Sequence, residues 1–103
     1  MRVTVMIVEI SVVPIGVGES LSSYVSEVIR VIRDRGVKYD LNPMGTVIEV
    51  ETFSELGEIV DEVKERLRKM GVPRIYIVIK ADWREKKTSM EYKVKAVKEK
   101  LGE

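Results

Sequence analysis

The sequence predicts an α+β sandwich: a four-stranded antiparallel sheet with two helices on one face, followed by a helix at the C-terminus. Three observations predict it. Dense β-branched runs alternate with stretches whose apolar residues recur every three or four positions. The switches occur in the order strand, helix, strand, strand, helix, strand. At 103 residues the chain has room for one core, so a single domain over 1–103 is expected.

Residues 3–13, VTVMIVEISVV, read as the first strand. Leu21, Tyr24, Val25, Val28 and Ile32 make one helix face, with Ser20 as its N-cap and Gly36 at its end. VKYDL (37–41) and TVIEVET (46–52) flank the turn Asn42-Pro43-Met44-Gly45, whose Asn, Pro and Gly occupy the places that a type I turn favours. Leu56, Ile59, Val60, Val63, Leu67 and Met70 mark a second helix, opened by a Thr52–Glu55 capping box and closed by Gly71 and Pro73. RIYIVIKADW (74–83) is the last strand. A basic helix follows, with Met90, Val94, Val97 and Leu101 as its apolar stripe and Thr88–Glu91 as its capping box. The βαββαβ order is that of the ferredoxin-like sandwich.

Both faces of this sheet are apolar. Val3, Val5 and Ile7 alternate with Met6, Val8, Ile10 and Val12, and Tyr76 and Val78 with Ile75, Ile77 and Ile79. Helices cover one face only, so the open face is expected to pack on another subunit, on the third helix, or on both.

Composition narrows the chemistry. There is no cysteine and no histidine, which excludes disulfides, thiolate and imidazole catalysis and the common zinc sites. No nucleophile stands beside a base, and no metal-ligand cluster is present; no catalytic residue, metal or cofactor is assigned. A net charge of +1 draws the chain to neither nucleic acid nor an anionic membrane. The apolar N-terminus is too short to span a bilayer, so a cytoplasmic location is expected. Abundant Glu, Lys and Arg with a single Asn suit a thermophile. Residues 84–100 carry seven Lys/Arg against three Glu but lack the aromatic pattern that stacks RNA bases, and they read as a solvated helix docked by its stripe. Trp83 reads as packing beneath that helix. Lys80, Asp82 and Arg84 read as surface or intersubunit ion pairs.

Gly16-Val17-Gly18 invites comparison with a phosphate cradle. Leu21 stands where a dinucleotide fingerprint needs its third glycine, and Glu19-Ser20 follows Gly18 where a P-loop needs Lys-Ser/Thr. The segment is a strand-to-helix bend. Its Ser20, Ser22 and Ser23 bring hydroxyls to a helix start, where capping is the plainer role and a ligand the alternative. In the hairpin, Asn42, Met44, Gly45 and Thr46 serve the turn or line a site. Glu9 and Ser11 share the open face with Val47 and Glu49. A carboxylate on an apolar face needs a partner, either a lysine or arginine of another subunit or a cationic or amino-bearing ligand.

The whole chain resembles the small thiamine-binding proteins of archaea and bacteria. The resemblance rests on PIGVGES opening a Ser-rich helix with Tyr24-Val25, on YDLNPMGTVIEVE (39–51), and on the strand that begins at Arg74 and ends KADWR (80–84). It implies the ferredoxin-like fold, homo-oligomers (dimers or tetramers) assembled through the sheet, and binding of thiamine or its hydroxymethylpyrimidine moiety without catalysis. The residues expected to bind that ligand are Ser11, Ser20, Ser22, Asn42, Met44, Gly45, Thr46 and Glu49. An aminopyrimidine stacks on apolar side chains and donates to a carboxylate such as Glu49, and a thiazolium cation favours an acidic site. Trp83 departs from the apolar or acidic residue usual at its place. The alternative is a regulatory or interaction module whose assembly responds to another small ligand.

Overall fold

A single four-stranded antiparallel sheet with strand order β2-β3-β1-β4 organises the protein. The computed structural model describes residues 5–103. The elements are β1 (Met6–Ile15), α1 (Ser22–Asp34), β2 (Tyr39–Asn42), β3 (Gly45–Val50), α2 (Phe53–Lys69), β4 (Arg74–Asp82) and α3 (Met90–Leu101). This is the expected ferredoxin-like sandwich. Val3 and Thr4 of the expected first strand lie outside the described residues. No helix among the described residues is long and apolar enough to cross a membrane.

The two-residue period of β1 sorts the sheet's faces. Met6, Val8 and Ile10 are buried and stand opposite Val50, Ile48 and Thr46 of β3. Met6, Val8, Ile48 and Val50 join Val28, Val31 and Ile32 of α1 and Leu56, Ile59, Val63 and Leu67 of α2 in one core. The alternate residues Ile7, Glu9, Ser11 and Val13 point to the open face.

β1 runs two residues further than its β-branched stretch and takes in Pro14. Proline is tolerated there because β3 pairs only with Met6–Ile10, so β4 alone lies beside Pro14. The hairpin closes with Asn42 opposite Gly45, leaving Pro43-Met44 as a two-residue loop. Among the described residues no non-glycine residue has positive φ and Gly45 does not either, which fits a type I turn and excludes types II, I′ and II′.

The Thr52 cap forms as expected: its hydroxyl accepts from the Glu55 N–H at 3.0 Å, while Glu55 accepts from the Glu51 N–H at 2.8 Å. Two other caps differ from expectation. Leu21, not Ser20, occupies the N-cap place of α1, and no side chain caps it. Ser89, not Thr88, caps α3, accepting from the Tyr92 N–H at 3.1 Å.

The third helix is also corrected. Val94, Val97 and Leu101 are all more than half exposed, and α3 buries no residue. Trp83 is 61% exposed and does not pack beneath it. The open face is uncovered to a similar degree at Tyr76 and Val78.

Candidate functional site

The hairpin and the start of α1 close a cleft of about 280 Å³ at one end of the sandwich. Its lining includes Ser11, Asn42, Met44, Gly45 and Thr46, five of the eight residues expected to bind a ligand. The register explains why they meet. Ile10 stands opposite Thr46, and Leu41 opposite Thr46 on the other side, so both neighbours of β3 deliver side chains to the same spot. Thr46 and Ile10 are buried at its base, whereas Met44 is 86% exposed at its rim. Leu21, Val25 and Val28 of the α1 region supply the facing wall.

Every lining residue of this cleft is uncharged. Thr46 places its hydroxyl on the cleft's side of the sheet, whereas Ser11 has the open-face parity of β1 and meets the cleft only as a lining residue; the Asn42 amide Nδ2 donates to the Asp40 carbonyl at 3.3 Å. Such a site takes a small, flat, largely apolar molecule that needs a few directed hydrogen bonds. Glycine fits closely at the closing position: a Cβ on Gly45 would lie 3.3 Å from the Ile10 carbonyl oxygen, a tight contact.

Ser20, Ser22 and Glu49 do not line this cleft. Ser20 is exposed and Ser22 begins α1, where its carbonyl accepts from Ser26 Oγ at 2.7 Å. Glu49 is buried on the sheet's other face. Its Oε2 accepts the Met90 N–H at 2.8 Å and lies 3.3 Å from Lys38 Nζ. It thus holds the first turn of α3 to the sheet, where a carboxylate also suits the helix dipole. Lys38 bonds Glu91 as well; that hydrogen bond, with the one to Glu49, holds the ammonium's pKa above its usual value. Glu9 shares this face but pairs with Lys80 at 3.4 Å, so the two carboxylates serve lysines on opposite flanks.

Three residues, Leu41, Lys38 and Val25, were not singled out for the site from the sequence. Leu41 was legible: a two-residue loop at Pro43-Met44 sets Leu41 against Thr46 and therefore on the helix-covered face. The same register puts Lys38 across from Glu49, and the Glu49 N–H donates to the Lys38 carbonyl at 3.2 Å. The role of α1's Val25 depended on how the helix crosses the sheet, which no local pattern reports.

A second, wider groove of about 930 Å³ separates α3 from the open sheet face. Ile7, Val47 and Asn42 line its sheet side, and Val94, Lys95 and Lys98 its helix side. It exists because α3 is held at its N-terminal end but buries no residue along its length.

Comparison with known proteins follows the same residues. A family model described as thiamine-binding protein matches residues 8–98. A Mycobacterium bovis protein is 42% identical over 79 residues, 77% of this chain and 76% of its own length. A Methanothermobacter thermautotrophicus protein is 36% identical over 95 residues, 90% of this chain and 96% of its own. Among solved structures, a Methanocaldococcus jannaschii protein superposes with a TM-score of 0.83 at 33% identity, covering 96% of this chain and 99% of the other. A Thermotoga maritima protein, provisionally assigned to thiamine biosynthesis/salvage, superposes with a TM-score of 0.78 at 27% identity, covering 90% and 98%. In fold and in sequence alike, the chain belongs to the thiamine-binding protein family.

Proposed function

We propose that this protein binds thiamine, or its hydroxymethylpyrimidine moiety alone, in the hairpin cleft, performs no reaction on it, and works in the cytoplasm as a homo-oligomer assembled through the open sheet face. The observation that carries the reading is the convergence of Ser11, Asn42, Met44, Gly45 and Thr46 on one uncharged cleft in a chain of this family. A volume of about 280 Å³ lies just below the usual range for drug-sized ligands, about 300–1,000 Å³. It suits a single substituted pyrimidine ring, with the rest of thiamine extending past Met44. The ring's nitrogens and amino group find partners in the Thr46 hydroxyl and the Asn42 amide, and its faces meet Leu21, Val25 and Leu41.

The oligomer part is supported by apolar surface. Tyr76 and Val78 on the open face and Val94, Val97 and Leu101 on α3 remain exposed in one copy of the chain. Bringing a second copy over them removes this area from water at about 25 cal/mol per Å².

Calorimetric titration and thermal melts with thiamine, its phosphates and hydroxymethylpyrimidine test the binding. Ligand at a hundred times its dissociation constant raises stability by about 2.7 kcal/mol. Asn42→Ala and Thr46→Val are expected to weaken binding at least about tenfold, the loss of one buried hydrogen bond. Glu49→Gln, outside the cleft, is expected to retain it. The ligand should be recovered intact by mass spectrometry. Saturating ligand without heat or melt change overturns the reading, and a chemically altered ligand overturns its non-catalytic part.

A further inference from the structure

The hairpin cleft is lined without charge, but the hollow beside it is not. This second hollow, of about 280 Å³, is lined by Val25, Ser26, Ile29, Arg30, Arg33 and Leu41. Val25 and Leu41 line the cleft as well, so the two spaces share one sill. The cleft follows the start of α1 from Leu21 to Val28, and the hollow continues along the same helix to Arg33.

We propose that Arg30 and Arg33 form a phosphate subsite beside the cleft, so that the protein takes hydroxymethylpyrimidine as its phosphate ester in preference to the free alcohol. This rests on the ring occupying the hairpin cleft, the reading given above, and adds the charge of the group attached to the ring.

The helix brings the two guanidiniums to one place. Residues three apart on a helix are neighbours, with Cβ atoms roughly 5–6 Å apart, and Arg30 and Arg33 have that spacing. Arg30 stands about 7.5 Å beyond Val25 along the axis, at 1.5 Å per residue. Helical side chains lean toward the N-terminus, which carries both guanidiniums back toward the sill. A phosphate attached through the ring's methylene group crosses that sill and meets them. Planar guanidinium forks match phosphate oxygens and donate charge-assisted hydrogen bonds to them.

Neither guanidinium is used up within the protein. Arg30 Nη1 donates to Glu27 at 2.9 Å, but Glu27 also takes Arg66 at 3.0 Å, so one carboxylate is divided between two arginines. Arg33 gives its Nε to Asp34 at the long distance of 3.4 Å. With five N–H groups on each guanidinium, both keep donors for a ligand. Both side chains are more than half exposed. Ser26 spends its hydroxyl proton on the Ser22 carbonyl. Asp34 and the negative end of the α1 dipole oppose an anion, the dipole by about half a charge. Two guanidiniums outweigh them, because Arg66 offsets Glu27. Charge then sorts the two ways out of the cleft. The arginines repel a thiazolium cation, which leaves past Met44, and draw a phosphate over Val25 and Leu41.

Calorimetric titration of the full chain at low salt, with hydroxymethylpyrimidine and with its phosphate ester, tests the subsite. The ester is expected to bind about tenfold more tightly, the sum of two exposed charge pairs. Molar salt should remove that preference and leave the alcohol's affinity in place. In Arg30→Gln/Arg33→Gln the preference should vanish while the alcohol binds as before, with a thermal melt to establish that the variant is folded. Asn42→Ala should weaken both compounds alike. Equal affinity for ester and alcohol in the wild type overturns the subsite and leaves the cleft reading standing. A preference that survives in the folded double variant places the phosphate elsewhere and overturns the subsite too. Binding of neither compound overturns both readings.

Discussion

A Cβ on Gly16 would lie 2.9 Å from Pro73 Cγ, closer than side-chain carbons approach, and its φ of +90° is one that glycine alone holds without strain. The bend after β1 is therefore fixed by a residue at the far end of α2, where β1 and β4 come together. Gly16→Ala is expected to destabilise the fold by about 1–3 kcal/mol, measured by urea unfolding. Gly18 separates the two causes, because its φ of +91° is similar and nothing lies within 4 Å of its Cβ position. Gly18→Ala should cost clearly less; equal costs would show that the Pro73 contact contributes nothing. Glu49 gives the same lesson with charge. Its isolation on an apolar face demanded a partner, expected from another subunit or a ligand, but Lys38 and the Met90 N–H of the same chain supply it. The sequence carried the demand but not the distance between β3 and the start of α3.

Elements set by a strong period were legible, and elements set by long-range contact were not. The stripes of α1 and α2 and the alternation of β1 read directly because their burial repeats every few residues. The Thr52–Glu55 cap was legible because both of its partners lie within one turn. The start of α3 was not, because Thr88, Ser89 and Glu91 permit two caps that local spacing does not separate. Thr88 sits buried, and among the described residues its Oγ1 has no hydrogen-bond partner. The cleft shows the same division: the hairpin residues were read from turn chemistry, while the α1 wall waited for the helix to be placed. The cap is directly testable. Since α3 buries no residue, its local stability is better read by amide exchange than by global unfolding. Ser89→Ala should raise exchange at the Tyr92 amide about fivefold, the loss of roughly 1 kcal/mol of capping. Thr88→Val keeps the shape and removes an unsatisfied hydroxyl, so exchange should be unchanged or slower. Faster exchange in Thr88→Val than in Ser89→Ala would restore Thr88 as the cap.

At the scale of the whole molecule, the helical layer is tied together by charge as well as by its apolar core. Glu27 of α1 takes Arg66 of α2 at 3.0 Å, Arg66 takes Glu62 at 2.7 Å, and Glu62 takes Arg35 beyond α1 at 2.8 Å. The Arg66 hydrogen bond, followed by that of Arg30, holds Glu27 below the usual carboxylate pKa, and the Arg35 hydrogen bond does the same for Glu62. A lowered folded pKa means that the unfolded chain binds more protons near that value, so stability rises with pH there. The contribution is present above the ordinary carboxylate value of 4.5 and is lost as pH falls through the lower folded value. Lys38 works in the opposite sense. Its raised pKa contributes below the ordinary 10.5 and is lost only as pH rises through the folded value. With no histidine or cysteine in the chain, no side chain of ordinary pKa titrates between about pH 5 and 8. The thermal midpoint is therefore expected to be flat from about pH 5 to 8 and to fall below about 4.5, with a shallower fall in Glu27→Gln/Glu62→Gln. These pairs are partly exposed and salt weakens them, so molar salt should flatten the acid limb of the wild type toward that of the double variant. An acid limb identical in the two proteins at low salt would place the acid sensitivity elsewhere, in Glu65 bonded to Arg68 within α2, or in Asp82 bonded to Lys93 or Glu91 bonded to Lys38, where acid would act on α3.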